Sequence, residues 1–227
     1  MTKMIAKADG RGSLSRPNFA SGQLLEDDDL NAGVAYTRNV VRLLLRSVFG
    51  AGIVCGLKVE ANRLEGTSIN VIVSPGVAFD CAGHVIEVEA PKTLALGGCD
   101  TTFTHPLWVT LYYDECPSRP REVSCDSGCD KSAQTVSTRL HEGFRIEIVE
   151  AEKSPEGACR SAEVPAAGAA GGAVVPPGDP FSCGCETHDC GVVLAHIEVP
   201  ASTDQPLKVN DKVKPRRLVR PKPYGAA

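Results

Sequence analysis

Between Leu30 and Val48 the apolar character repeats at helical steps, and from Ile53 onward it repeats at every second residue. That single change of period limits the chain more than any other feature. Leu30, Val34, Thr37, Val41, Leu44 and Val48 are spaced four, three, four, three and four. The spacing predicts one helix over about 27–49 with a seven-residue repeat on one face, the pattern of a helical seam between chains. Asp27, Asp28 and Asp29 stand where a helix N-terminus favours negative charge, and Gly50 or Gly52 stands where the helix must stop. Val40, Leu43, Leu45 and Phe49 widen the apolar stripe, as in a helix that packs on its own domain. The two readings are compatible.

Downstream, short alternating runs are broken by turn residues. INVIVSPG leads into a Pro-Gly turn, and GVAFDCAGHVIEVE reads as a hairpin with Ala82-Gly83 near its tip. LWVTLYYDE (107–115), FRIEIVEAE (144–152) and GVVLAHIEVP (191–200) are strong strands. In the last, strict alternation sets Val192, Leu194 and His196 on one face and Val193, Ala195 and Ile197 on the other. LKVN (207–210) is expected to pair beside it. The predicted fold is mainly β with one long N-terminal α-helix, a β-sandwich or barrel-like domain with cysteine-rich loops. The expected organisation is a basic arm over 1–16, the helical segment over 17–52, a β-rich domain over 53–210 and a basic tail over 211–227. Two insertions, 116–139 and 153–190, interrupt the strands, and the second is rich in Ala, Gly and Pro.

Seven of the ten cysteines lie at 116 or beyond, in these insertions. Cys125 and Cys129 form C-x-x-x-C, and FSCGCETHDCG (181–191) holds Cys183, Cys185 and Cys190 around His188. In extended chain Cys183 and Cys185 face the same way. With Cys125 and Cys129 they supply the four thiolates of a tetrahedral zinc, with Cys116, Cys159, His188 and Cys190 in reserve. The spacing is not a zinc ribbon with C-x-x-C twice, nor a ferredoxin run. A structural zinc is the first expectation, because stable disulfides are uncommon in reducing cytosol. Disulfides, free thiols and another metal stay open. Cys55 and Cys81, within strand-like apolar runs, read as small buried hydrophobes.

Several classes of function find no support. No H-E-x-x-H, G-x-S-x-G or phosphate-binding glycine loop occurs, and no helix start is placed to activate Cys190 beside His188, so no enzymatic activity is expected. The tail over 211–227 carries Lys214, Arg216, Arg217 and Arg220 with no acid after Asp211, and is expected to lie on a neighbouring protein. Aromatic residues are too sparse for a stacking platform, so nucleic acid is not an expected partner. Trp108 and four tyrosines likewise give little for a carbohydrate site at a fibre tip. No apolar run approaches the roughly 18–20 residues of a membrane-spanning helix. MTKMIAKADGRGSLSR is basic without a continuous apolar core, so the chain is expected to be made in the cytoplasm without a secretory signal.

The block RPNFASGQLLEDDDLNAGVAYTRNVVRLLLRSVFGAGIVCGLKVE (16–60) resembles the opening of a family of phage-tail-like proteins from contractile tails and extracellular contractile injection systems. The elements that carry the resemblance are Phe19, Gly22 to Leu25, Asp29 to Asn31, and Gly50 to Leu57. It continues through VIVSPGVAFDCAGHVIEV, LWVTLYYDECPSRP, RLHEGFRIEIVE, CGVVLAHIEV and RRLVRP. The Ala/Gly stretch over 163–178 is outside it. The resemblance implies a structural component of the baseplate or of the tail-fibre attachment, present in several copies, as trimers, and incorporated in a particle. Leu30, Val34, Thr37, Val41, Leu44 and Val48 are the expected self-association residues. The β-branched residues at 34, 41 and 48 with leucines between them favour a two-stranded seam in a free coiled coil, so the trimer comes from the resemblance alone. The rival expectation is a soluble metal-binding module with a zinc-sensing or redox role at the cysteine loops.

Overall fold

The computed structural model describes residues 14–64, 68–97, 103–123, 134–152, 190–200 and 205–211. Helix α1 spans Asp27–Val48. At its start the Glu26 backbone N–H donates to Asp29 Oδ2 at 3.2 Å, and three aspartates occupy the first turn at the positive end of the helix dipole. At its end Phe49 and Gly50 both donate to the Leu45 carbonyl, at 2.9 and 3.2 Å. Gly50 takes φ +74°, the left-handed turn that closes helices and favours glycine.

Ten strands follow among the described residues: β1 Gly52–Gly56, β2 Val59–Arg63, β3 Ile69–Val73, β4 Gly76–Phe79, β5 Val85–Val88, β6 Lys92–Leu96, β7 Leu107–Val123, β8 Gln134–Glu150, β9 Val192–Glu198 and β10 Lys208–Asn210. They form three antiparallel sheets, ordered β1-β4-β5, β2-β3-β6 and β10-β9-β7-β8. The chain is therefore mainly β with one helix. Its sheets pack in the manner of a sandwich and do not close into a barrel. One core joins all three: Ile53 and Ala78 from the first, Ile69, Val71 and Val73 from the second, and Leu107, Val109, Leu111 and Ile197 from the third. In β3 burial alternates along the strand, as its sequence requires.

β10 pairs with β9 as the sequence predicts, Val209 opposite Ile197. The alternation expected within β9 does not hold, because the β7–β9 register shifts. Val109 faces Ala195 while Thr110 faces Val193, so Leu194 is an extra residue in the ladder. Val192 and Leu194 share one face as expected, but the shift brings Ala195 and Ile197 into the same core with them, and leaves Val193 with Trp108 in a separate cluster. Trp108 lies 4.6 Å from the His196 ring and donates its indole N–H to the Ala151 carbonyl at 3.0 Å.

The insertion over 116–139 is also not the plain loop the sequence suggests. β7 and β8 run 17 residues each, and their pairing continues through Cys116↔His141 and Pro117↔Leu140 to Val123↔Gln134. β9 leaves β7 at Leu111, so from Tyr112 outward the hairpin is a two-stranded ribbon. A strand bordered on one side only can hold Pro117 and Pro120, whose missing N–H groups would otherwise interrupt a ladder.

Candidate interaction surface

The apolar row of α1 is uncovered. None of the 22 helix residues is buried. Leu30, Val34, Thr37, Val41, Leu44 and Val48 are all exposed, the five apolar ones between 38% (Val48) and 61% (Val34). Leu43, Leu45 and Phe49 are half-buried while Val40 is 37% exposed, so only part of the second stripe read from the sequence is turned toward the rest of the chain. Ahead of the helix, Phe19, Leu24 and Leu25 are also exposed and extend the apolar surface past its N-terminal end.

The helix is seated largely through polar contacts. The Arg38 guanidinium donates to Glu115 Oε1 at a short ion-paired contact, lies 3.8 Å from Glu142 Oε1, and is 3.4 Å from the Tyr113 hydroxyl. Tyr113 Oη donates to the same Glu115 oxygen at 2.7 Å, and Arg42 approaches it at 4.0 Å. The hydrogen bonds from Tyr113 and Arg38 hold the Glu115 carboxyl below its ordinary range. Burial and the bond to Glu115 push the Tyr113 hydroxyl up, and the bond to Glu115 raises Arg38. Phe49 meets Phe79 of β4 with ring centroids 5.8 Å apart, the apolar part of the seat.

The tip of the β4–β5 hairpin completes it. Asp80, 2% exposed, accepts from the backbone N–H groups of Ala82 and His84 at 2.9 and 2.8 Å, and pairs with His84 Nδ1 at 2.6 Å. The aspartate thus fixes a tight turn from within. His84 stacks flat on Tyr113, and Gly83, at φ +85°, lies against the Arg42 carbonyl. Next to it, Cys81 is joined to Cys190 in a disulfide that ties the tip to the start of β9, 109 residues away.

The cysteine expectations are corrected here. Among the described residues no group of three or more His, Cys, Asp or Glu is placed to hold a metal ion, so the expected structural zinc has no site there. Cys190, a reserve ligand, is consumed by the disulfide, and Cys81 is its partner, not a plain buried hydrophobe. Cys116 and Cys55 are free and exposed. Cys125, Cys129, Cys159, Cys183, Cys185 and His188 lie outside the described residues, as do Lys214, Arg216, Arg217 and Arg220 of the tail. Sequence reading missed Arg38, Arg42, Asp80, His84, Tyr113 and Glu115. Only Asp80-Cys-Ala-Gly-His84 left a trace, an aspartate opening a glycine turn.

No described helix is long and apolar enough to cross a membrane. No protein-family model matches the chain, and no curated protein matches it.

Proposed function

We propose that this chain is a non-enzymatic structural component of a contractile, phage tail-like particle, at the baseplate or the tail-fibre connection, where it contacts copies of itself and neighbouring tail proteins. The observation that carries the reading is the uncovered apolar row from Leu30 to Val48 on a helix that the body already holds by other residues. Exposed apolar surface in register over five helical turns favours a protein partner over solvent. The resemblance of residues 16–60 to tail proteins supplies the kind of assembly and implies three copies. The long β7–β8 ribbon suits the same role, since a two-stranded ribbon is marginal in water until something packs on it.

The test is to tag the chain in producing cells, sediment tail-like particles, and locate the tag by immunogold electron microscopy. The expected result is co-sedimentation with label at one end of the particle. Particles that assemble and function normally without the chain, while the chain stays in the low-mass fraction, would overturn the reading.

A further inference from the structure

We infer that the exposed face of α1 takes a second copy of this chain, running antiparallel about a two-fold axis near Asn39. The inference deepens the assembly reading and uses only its self-association part. Two observations choose the orientation. The first is symmetry. Folded about Asn39, the exposed row meets itself residue for residue: Leu30 faces Val48 of the second copy, Val34 faces Leu44, and Thr37 faces Val41. The repeated surface is self-complementary, as a two-fold interface must be.

The second observation is charge. Glu26, Asp27, Asp28 and Asp29 crowd the N-terminal end, and from Leu30 to Val48 there is no acid, while Arg38, Arg42 and Arg46 follow in the second half. A parallel pair would set the four acids of one copy against the same four of the other. Asp27 lies seven residues before Val34, so it would meet its own copy inside the seam. Like charges so placed oppose association, and the aligned helix dipoles add to the penalty. An antiparallel pair brings each acidic end to the basic half of its neighbour. On one flank of the row stand Gly33, Val40 and Ser47, without charge. On the other, Arg38 approaches the second copy's Arg38, and its charge is already met by Glu115 and Glu142 of its own chain. A two-fold pair on this face leaves no room there for a three-fold seam, so any trimer must be built on another surface.

The experiment is double electron–electron resonance on the full chain, combined with native mass spectrometry. A spin label is carried on an unnatural amino acid at Asn39 or at Asp28, which leaves the cysteines untouched. Two copies with the shorter distance at Asn39, roughly 20 Å across both helices because Asn39 lies on the side of α1 away from the row, and at least roughly 33 Å at Asp28 are expected, since 22 residues of helix rise separate the two Asp28 sites. Short distances at both sites, a three-copy mass, or a monomer at about 100 μM would each overturn the proposal. The particle reading is judged separately, by co-sedimentation, so either can fail while the other stands.

Discussion

The His84 ring lies flat on Tyr113, with centroids 4.1 Å apart and planes inclined by 4°. This stack joins two hydrogen-bonded systems that are separate in sequence. On one side Asp80 holds His84 in the hairpin turn. On the other the Tyr113 hydroxyl donates to Glu115, which holds Arg38 of the helix. The position of α1 therefore depends on a hairpin tip that touches it at Gly83 and also reaches it through a chain of Asp80, His84, Tyr113, Glu115 and Arg38.

Removing the acid at the centre of that chain should loosen the helix more than the core. Glu115→Gln keeps the shape but loses the charge that Arg38 and Arg42 face. The ion pair is partly solvated, so the expected loss in global stability is only about 1 kcal/mol. Amide hydrogen exchange should show faster exchange over residues 36–48, with strands β3 and β9 unchanged. Equal loss of protection throughout would show that the helix has no separate seat.

The same carboxylate sets a pH dependence. Its folded-state pKa lies below the ordinary value of 4.5. The stabilisation it gives is therefore present above that value and is lost as pH falls through the folded-state pKa. Thermal melts between pH 7 and pH 3 should show a larger drop for the natural chain than for Glu115→Gln. Parallel curves would assign the acid sensitivity to other carboxylates.

Gly83 is the point where the tip meets the helix. A Cβ there would lie 2.4 Å from the Arg42 carbonyl, and φ +85° is unfavourable to any side chain. Gly83→Ala is expected to cost about 1–3 kcal/mol, with the strain relieved by backing the hairpin away from α1. The melting temperature should fall, and exchange should rise at Arg42 and its neighbours. An unchanged melt would mean that the contact is not maintained in solution.

The Cys81–Cys190 disulfide closes a span of 109 residues. On loop-closure grounds its removal is expected to cost about 4–5 kcal/mol. The double substitution to serine should lower stability by that amount, and reductant should destabilise the natural chain but not the variant. A natural chain indifferent to reductant, with two free thiols at these positions by mass, would sink the prediction.

These devices differ in how far the sequence discloses them. The helix and its end were readable because period and punctuation are local: a three-four spacing, then Gly50. The hairpin tip and the β9–β10 pair were readable for the same reason. The extra residue at Leu194 was not, because a register shift is decided by the partner strand, and the apolar run there satisfies either phase. The extension of β7 past Pro117 was hidden by a rule that holds for central strands only. Arg38 and Glu115 stand 77 residues apart, and Cys81 and Cys190 farther still. No spacing announces such pairs, and the clustering of late cysteines pointed instead to a metal.

The exposed row of α1 yields the last prediction, which separates association from folding. Val41 and Leu44 are exposed at the middle of the row, and neither supports the core. Val41→Asp with Leu44→Asp should therefore leave the melting transition of the isolated chain nearly in place, since surface substitutions of this kind usually move stability by about 0.5 kcal/mol. In any assembly that uses the row, the same pair would bury carboxylates in the seam, against Thr37 and Val34 of the second copy in the two-copy arrangement, and leave them without water. Oligomers detected by native mass spectrometry should disappear, and the tagged variant should no longer sediment with particles. A variant that melts normally and still assembles would move self-association off the helix altogether, to the β7–β8 ribbon as the next exposed element.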